Sequence, residues 1–349
     1  MIHSVTPYRE IKALNSSMIR LFDDSPIKFY EEFIMGKKKV ESPSVSLLIG
    51  DLVDFYLLEC SGKEEVFVKR FDDKYALYEE EKKTGQVFTL ADQLFSITKD
   101  CVDSTGKITL SFNTRFSEAF KRVKAMKKYN GKDMDYALED FNDNASGYFA
   151  TLMENITKQT VDISLVDKSK RIAEIVKNDV FTRDIFNEEL IKKVVVQWKL
   201  KGISCKSEID MISIDHESKT IQLYDLKTTY DNENFEYSYI KNKYYIQASF
   251  YYLALEEWKK QEGLDDYTVL PMKFVVADTS SVHRRPIVIN TDETDLQNGL
   301  NGFYINGVKY KGVYELVDDI SWASKMDIWN CSRELIKNKG KQKLHIKYD

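Results

Sequence analysis

IDMISIDHESKTIQLYDLKTT, residues 209–229, sets two alternating apolar runs around the polar tetrad Asp215-His216-Glu217-Ser218, the pattern of a β-hairpin. Side chains alternate along a strand, so Ile221, Leu223, Asp225 and Lys227 share one face and Gln222, Tyr224 and Leu226 the other. A loop made of the four polar residues pairs Ile214 with Lys219 and sets Asp210 opposite Leu223, on the face of Asp225 and diagonal to it. A loop one residue longer would turn Asp210 to the other face. Two carboxylates and a lysine at the mouth of a strand pair suit metal-assisted phosphodiester hydrolysis. Carboxylate oxygens fit Mg²⁺ or Mn²⁺, and such an ion makes hydroxide from bound water and offsets charge on the phosphate. Lysine adds a compact cation that orients the water and counters transition-state charge. An isolated D-x-K is more often a solvated surface pair, so the weight falls on its surroundings.

Those surroundings carry a resemblance. Asp210, fourteen residues, DLKTT, then a helix with Gln247-Ala248-Ser249-Phe250-Tyr251 resembles the PD-(D/E)XK nuclease superfamily. Within it, the trailing Q-x-x-x-Y is similar to the branch of RecB nuclease domains, lambda exonuclease-like enzymes and RecE-type phage exonucleases. The resemblance implies an α/β fold with a restriction-endonuclease-like core, a mixed β-sheet flanked by helices and a helical N-terminal portion. It implies that Asp210, Asp225 and the main-chain carbonyl of Leu226 hold Mg²⁺ or Mn²⁺, that Lys227 assists the attacking water, and that Gln247 and Tyr251 lie near the active centre. The SSMIRLFDDSPIKFY segment, residues 16–30, looks like the N-terminal segment of RecE-type enzymes. That likeness favours an exonuclease acting on double-stranded DNA ends, leaving a 5′-phosphate and a 3′-hydroxyl, in phage-type recombination or replication beside a single-strand annealing protein. Several relatives form rings around DNA, although nothing in this sequence establishes an oligomer. An endonuclease with the same site is the nearer rival, and a non-catalytic DNA-binding or assembly protein of the same fold the more distant one.

In related nucleases a G-x-x-x-H helix brings a histidine to the metal. Here SLLIGDLVDFYLLE, residues 46–59, reads as a mostly buried helix in which Gly50 allows close packing on the sheet. The matching residue is Asp54, on the same helix face, a candidate third carboxylate. An upstream metal-binding Glu is also common in relatives, and the sequence offers Gln197 or, less well aligned, Glu188 and Glu189. Glu208 shares the face of Asp210 and reads as a rim group.

Composition agrees with an ordinary globule: 349 residues, 43% hydrophobic, with a net charge of -5 that excludes a strongly basic coat but allows a local basic groove. No stretch approaches the ~20 apolar residues of a membrane span, and the first residues lack an apolar signal core, so the cytoplasm is expected, a host's if phage-encoded. Cys60, Cys101, Cys205 and Cys331 are scattered and the four histidines form no metal motif, which leaves out zinc ribbons, disulfide frameworks and the cysteine pattern of iron–sulfur relatives.

Along the chain, Asn15 and Ser25-Pro26 open two short helices, the second ending at Gly36. Residues 1–188 are expected as a mainly helical portion contributing the core helix 46–59, and 189–349 as the nuclease core with a closing C-terminal helix. Residues 67–83 are charge-patterned within a helical stretch, 131–147 read as a loop, and 160–186 as amphipathic. Lys121, Arg122, Lys124, Lys127 and Lys128 form a basic cluster more typical of a solvated face than of a DNA channel. Residues 240–260 are expected as one helix with a stripe of Tyr244, Ala248, Tyr251, Leu255 and Trp258. Residues 269–277 and 285–290 complete a sheet of about five strands, and the basic tail could add DNA attraction.

Overall fold

The hairpin expected at 209–229 forms, and the sheet is assembled on it. The structure, a computed structural model, describes residues 8, 11–37, 44–59, 75–78, 84–103, 107–154, 156, 159–281 and 283–341. In chain order these give α1 (Ser16–Asp24), α2 (Pro26–Phe29, continued by a π turn over Tyr30–Ile34) and α3 (Val45–Asp54, continued by a π turn over Phe55–Glu59). Next come β1 (Tyr75–Tyr78), α4 (Gln86–Asp100), α5 (Phe112–Ala125), α6 (Met134–Asn144), α7 (Ser146–Glu154), β2 (Gln159–Asp162) and α8 (Ile163–Asn178). Then follow α9 (Arg183–Asn187), β3 (Leu190–Leu200), β4 (Ile203–Asp215), β5 (Thr220–Thr229), α10 (Phe235–Lys241) and α11 (Tyr244–Gln261). Last are β6 (Thr268–Val269), β7 (Lys273–Asp278), β8 (Ile287–Asn290), α12 (Glu293–Asn301), β9 (Phe303–Ile305), β10 (Val308–Tyr310), α13 (Val313–Met326) and α14 (Arg333–Lys337). None of the described helices is long and apolar enough to cross a membrane.

The chain divides into two units, residues 1–61 with 168–349, and residues 62–167. That division differs from the expected boundary at 188/189. The reason lies in α3, whose buried Leu48, Leu52 and Val53 need an apolar partner and which packs on β5 of the sheet.

In the first unit a six-stranded mixed sheet runs β3-β4-β5-β7-β8, with β6 also pairing with β5. The β5–β7 and β5–β6 pairs are parallel and the others antiparallel. The hairpin register differs from the expected one. Ile214 pairs with Ile221 and Asp215 with Thr220, so the loop is residues 216–219 instead of 215–218. Lys219 takes φ +53, which closes the turn one residue later than the polar tetrad suggests. The shift is two residues in register, which preserves the faces of the paired residues as far as Met211, where the ladder ends.

The connection from β5 to β7 passes through α10 and α11. One continuous helix was expected over 240–260, but the chain breaks at Lys243, whose φ is +54 and whose ammonium pairs with Asp23 and, at 2.7 Å, with Asp24 of α1. Beyond the break, α11 buries Tyr245, Ile246, Gln247, Ala248, Ser249, Phe250, Tyr251, Ala254 and Leu255. It is enclosed on several sides, by β3 and β4 and by α1, α12 and α13, so a single stripe understated its burial. At the crossing with α12, a Cβ on Gly299 would stand 2.4 Å from the carbonyl oxygen of Tyr245, which only glycine permits.

Asn15 caps α1 by accepting the Met18 N–H at 2.9 Å, and Ser25 caps α2 by accepting the Lys28 N–H at 3.4 Å, as the sequence indicated. Buried Trp329 stacks on Phe29 and Tyr30, with centroids 5.7 Å and 5.4 Å away, and so joins the two chain ends. The expected single closing helix is interrupted before it, at Asp327 with φ +53.

The second unit packs α4 to α7 around Leu90, Leu94, Phe116, Tyr129 and Phe141, with β1 and β2 as a parallel pair. Two expectations change there. Residues 75–78 are strand, with the remainder of 67–83 outside the described residues. The Asp/Asn-rich 131–147 contains α6, because Asp133 caps it and Ala137 and Phe141 give it a buried stripe.

α3 passes close to β5 at Gly50, where an added Cβ would lie 3.0 Å from Thr228 Oγ1. Gly50→Leu is therefore expected to cost about 1–3 kcal/mol by overpacking. Gly50→Ala should be far milder, since the ~1 kcal/mol helix preference for alanine offsets the contact. Urea denaturation of both variants tests this, and an unchanged midpoint for Gly50→Leu would contradict the close approach.

Candidate active site

β5 lies between β4 and β7, and its last turn of sequence changes from apolar to charged at Asp225 and Lys227. Asp225 falls on the face of Ile221 and Leu223, which belong to the core against α11, so strand alternation carries its carboxylate inward until only 1% is exposed. Two groups meet it. Gln247 Nε2 donates to Oδ1 at 2.8 Å, and the Lys227 ammonium pairs with Oδ2. Lys227 also sits over the Tyr244 ring, 4.8 Å from its centroid. Burial pushes the Asp225 carboxyl up to about 6, against the downward pull of Lys227 and with a further upward push from Asp210.

The β4–β5 ladder ends at the pair Met211–Tyr224, one step before Asp210 would meet Asp225. There the Leu226 N–H donates to Asp210 Oδ2 at 3.0 Å, which holds the second carboxylate beside the first. Asp54 arrives from the end of α3, one turn after Gly50. Burial pushes its carboxyl up to about 7, Asp210 adds to the rise, and Lys193 opposes it. The structure therefore brings Asp54, Asp210, Asp225, Lys227 and Gln247 to one place. Tyr251 packs behind them, buried beside Gln247, and burial together with the charges of Asp225 and Asp210 holds its phenol well above the ordinary range.

Lys193 was not foreseen. Its ammonium lies 2.7 Å from each Asp54 oxygen and 3.1 Å from Asp210 Oδ1. Burial weakens its charge, but Asp210 and Asp54 outweigh that and hold its proton more firmly than water does. Its backbone has φ +53, left-handed inside a strand, a conformation that costs on the order of 1 kcal/mol for an L-residue. Nearby, Ile209 and Ile212 of β4 both join the same core although three residues apart, so alternation is interrupted between them. Nothing local in KKVVVQW predicts either distortion.

The other candidates are placed elsewhere. Glu188 sits beside Tyr224, on the face away from Asp225, and Gln197 accepts Gln261 Nε2 at its main-chain oxygen. Glu208 lies towards Tyr8, as a rim group. In the basic cluster, Lys124 donates to the carbonyls of Tyr129 and Lys132, and Lys128 to Thr89, while Lys121 and Arg122 flank Glu118.

The donor set suits a hard divalent ion. It consists of oxygens, and Asp225 Oδ2 is buried against the Lys227 ammonium. Among the described residues no group of three or more His, Cys, Asp or Glu side chains forms a cage. An ion bound here would thus take one or two carboxylates, with waters and phosphate completing its shell, as Mg²⁺ commonly does.

Residues 15–316 match the family described as "PDDEXK-like domain of unknown function (DUF3799)". No curated protein matches the chain. A solved crystal structure from Eubacterium rectale, provisionally described as an exonuclease, aligns with a TM-score of 0.45 at 11% identity, over 98% of this chain and 88% of that one.

Asp54 and Asp225 both bind protons more tightly folded than unfolded. The native state then holds more protons between about pH 4 and pH 7, so the unfolding free energy of metal-free protein should fall as pH rises through that window. Urea midpoints measured in EDTA across it, for wild type and Asp54→Asn, test this. The variant should show a flatter dependence, and identical slopes would contradict the assignment.

Proposed function

Because the chain belongs to this PDDEXK-like family, and so to the PD-(D/E)XK nuclease superfamily, we propose that it is a Mg²⁺- or Mn²⁺-dependent deoxyribonuclease working as an exonuclease on double-stranded DNA ends. The observation that carries the reading is the buried Asp225 carboxylate with Asp210 and Lys227 beside it at the end of one strand. Asp210, Asp225 and the Leu226 carbonyl are the groups to hold the ion. When bound, the ion supplies hydroxide from water and neutralises charge on the phosphate.

The chain's own residues have separable tasks. Lys227, 14% exposed, is near enough to solvent to orient the attacking water and fixed enough by Asp225 and Tyr244 to do so in one geometry. Gln247 fixes the Asp225 carboxylate through Oδ1, leaving Oδ2 for the reacting side. Tyr230 and Tyr237, 78% and 70% exposed, follow β5 closely in sequence and offer flat faces on which DNA bases can stack. The RecE-like N-terminal segment supports action at DNA ends, leaving a 5′-phosphate and a 3′-hydroxyl, in phage-type recombination or replication in a host cytoplasm. A single-strand annealing protein is the partner this role calls for, and a homo-oligomeric ring its natural way to stay on DNA.

The test uses purified protein, Mg²⁺, end-labelled linear duplex and covalently closed circular DNA. Linear DNA should be shortened from an end while the circle survives. Cutting of the circle would make the protein an endonuclease of the same superfamily. Asp225→Ala and Lys227→Ala, shown to be folded by circular dichroism, should each lose about 10²–10⁴-fold in rate, and Gln247→Leu about 10–100-fold. DNA binding without metal-dependent cleavage in the wild type would leave only a non-catalytic DNA-binding protein.

A further inference from the structure

Lys193 reaches the acidic centre by a distorted route. Its neighbours in β3 pair regularly with β4, Lys192 with Met211 and Val194 with Ile209, while Lys193 between them drops out of the ladder at φ +53. Lys192 turns to the Leu57 carbonyl at 2.9 Å. Lys193 instead brings its ammonium to three carboxylate oxygens from two different elements, Oδ1 and Oδ2 of Asp54 and Oδ1 of Asp210, at 2.7, 2.7 and 3.1 Å. This convergence is the coordination pattern of a cation site, with a nitrogen at its centre.

We infer that the Lys193 ammonium is a built-in cation standing between Asp54 and Asp210 where a second divalent ion would otherwise bind, so that the centre takes one divalent ion per chain. The inference deepens the nuclease reading and rests on it. Asp54 then anchors Lys193 and is not a metal ligand. A hard ion such as Mg²⁺ needs oxygens at about 2.0–2.1 Å, and the volume between Asp54 and Asp210 that would provide them holds the ammonium. In two-ion nucleases the second ion offsets charge on the leaving oxygen. Here that task falls to Lys193, a compact cation that offsets charge but does not activate water.

Mn²⁺ bound per chain, counted from the free-ion electron paramagnetic resonance signal without DNA, tests this. Wild type should bind one ion. Lys193→Ala and Lys193→Met, the latter keeping an aliphatic stem for packing, should each bind two, and Lys193→Arg should stay at one. The extra ion should vanish in the double variant Lys193→Ala with Asp54→Asn. Asp54→Asn alone should keep one ion with affinity changed less than about tenfold, whereas Asp225→Asn should lose it. Two ions in wild type, one ion in both Lys193→Ala and Lys193→Met, or loss of the ion in Asp54→Asn would each overturn the inference and leave the nuclease reading intact. Wild type that binds no Mn²⁺ would sink both.

Discussion

The constraint on which this structure depends is the burial of the Asp225 carboxylate. A carboxylate withdrawn from water is stable only if its oxygens are met by donors or cations. Lys227 and Gln247 supply both, one from the same strand and one from the helix behind it. That requirement ties β5 to α11 in a fixed relation, and it explains why α11 is enclosed on several sides. A mobile helix would let water reach Asp225 and dissolve the electrostatic arrangement. Burial nevertheless raises the Asp225 carboxyl, so the compensation by Lys227 is partial.

The remaining elements bring further charge to the same point. The β4–β5 ladder parts where Asp210 begins, which frees a backbone N–H on Leu226 to hold that carboxylate. α3 can approach because Gly50 has no side chain against Thr228, and so Asp54 reaches the site. β3 gives up regular strand geometry at Lys193 to place an ammonium between two acids. Lys193 thus departs from regular geometry inside a strand, beside the acidic centre.

Much of this was legible in the residues. Alternation through Ile221, Leu223, Asp225 and Lys227 assigns their shared face, and the Q-x-x-x-Y spacing sets Gln247 and Tyr251 one turn apart on a helix. The hairpin register was read two residues off, yet the two acids still come together because the Leu226 N–H holds Asp210 beyond the end of the ladder. The helix break at Lys243 and the helix over 134–144 were missed for a common reason. In each case polar residues were read as solvated, although Lys243 is engaged by Asp23 and Asp24 and Asp133 serves as a cap.

By itself the sequence determined which side chains of β5 share a face, because periodicity is a local property of the backbone. It also determined the family, since ordered spacing along one chain is retained whatever surrounds it. Only the tertiary structure decided how the charges pair. Lys193 lies 139 residues from Asp54 and 17 from Asp210 in the chain. Coulomb attraction acts through space, and no pattern of neighbouring letters encodes which distant carboxylates an ammonium will find.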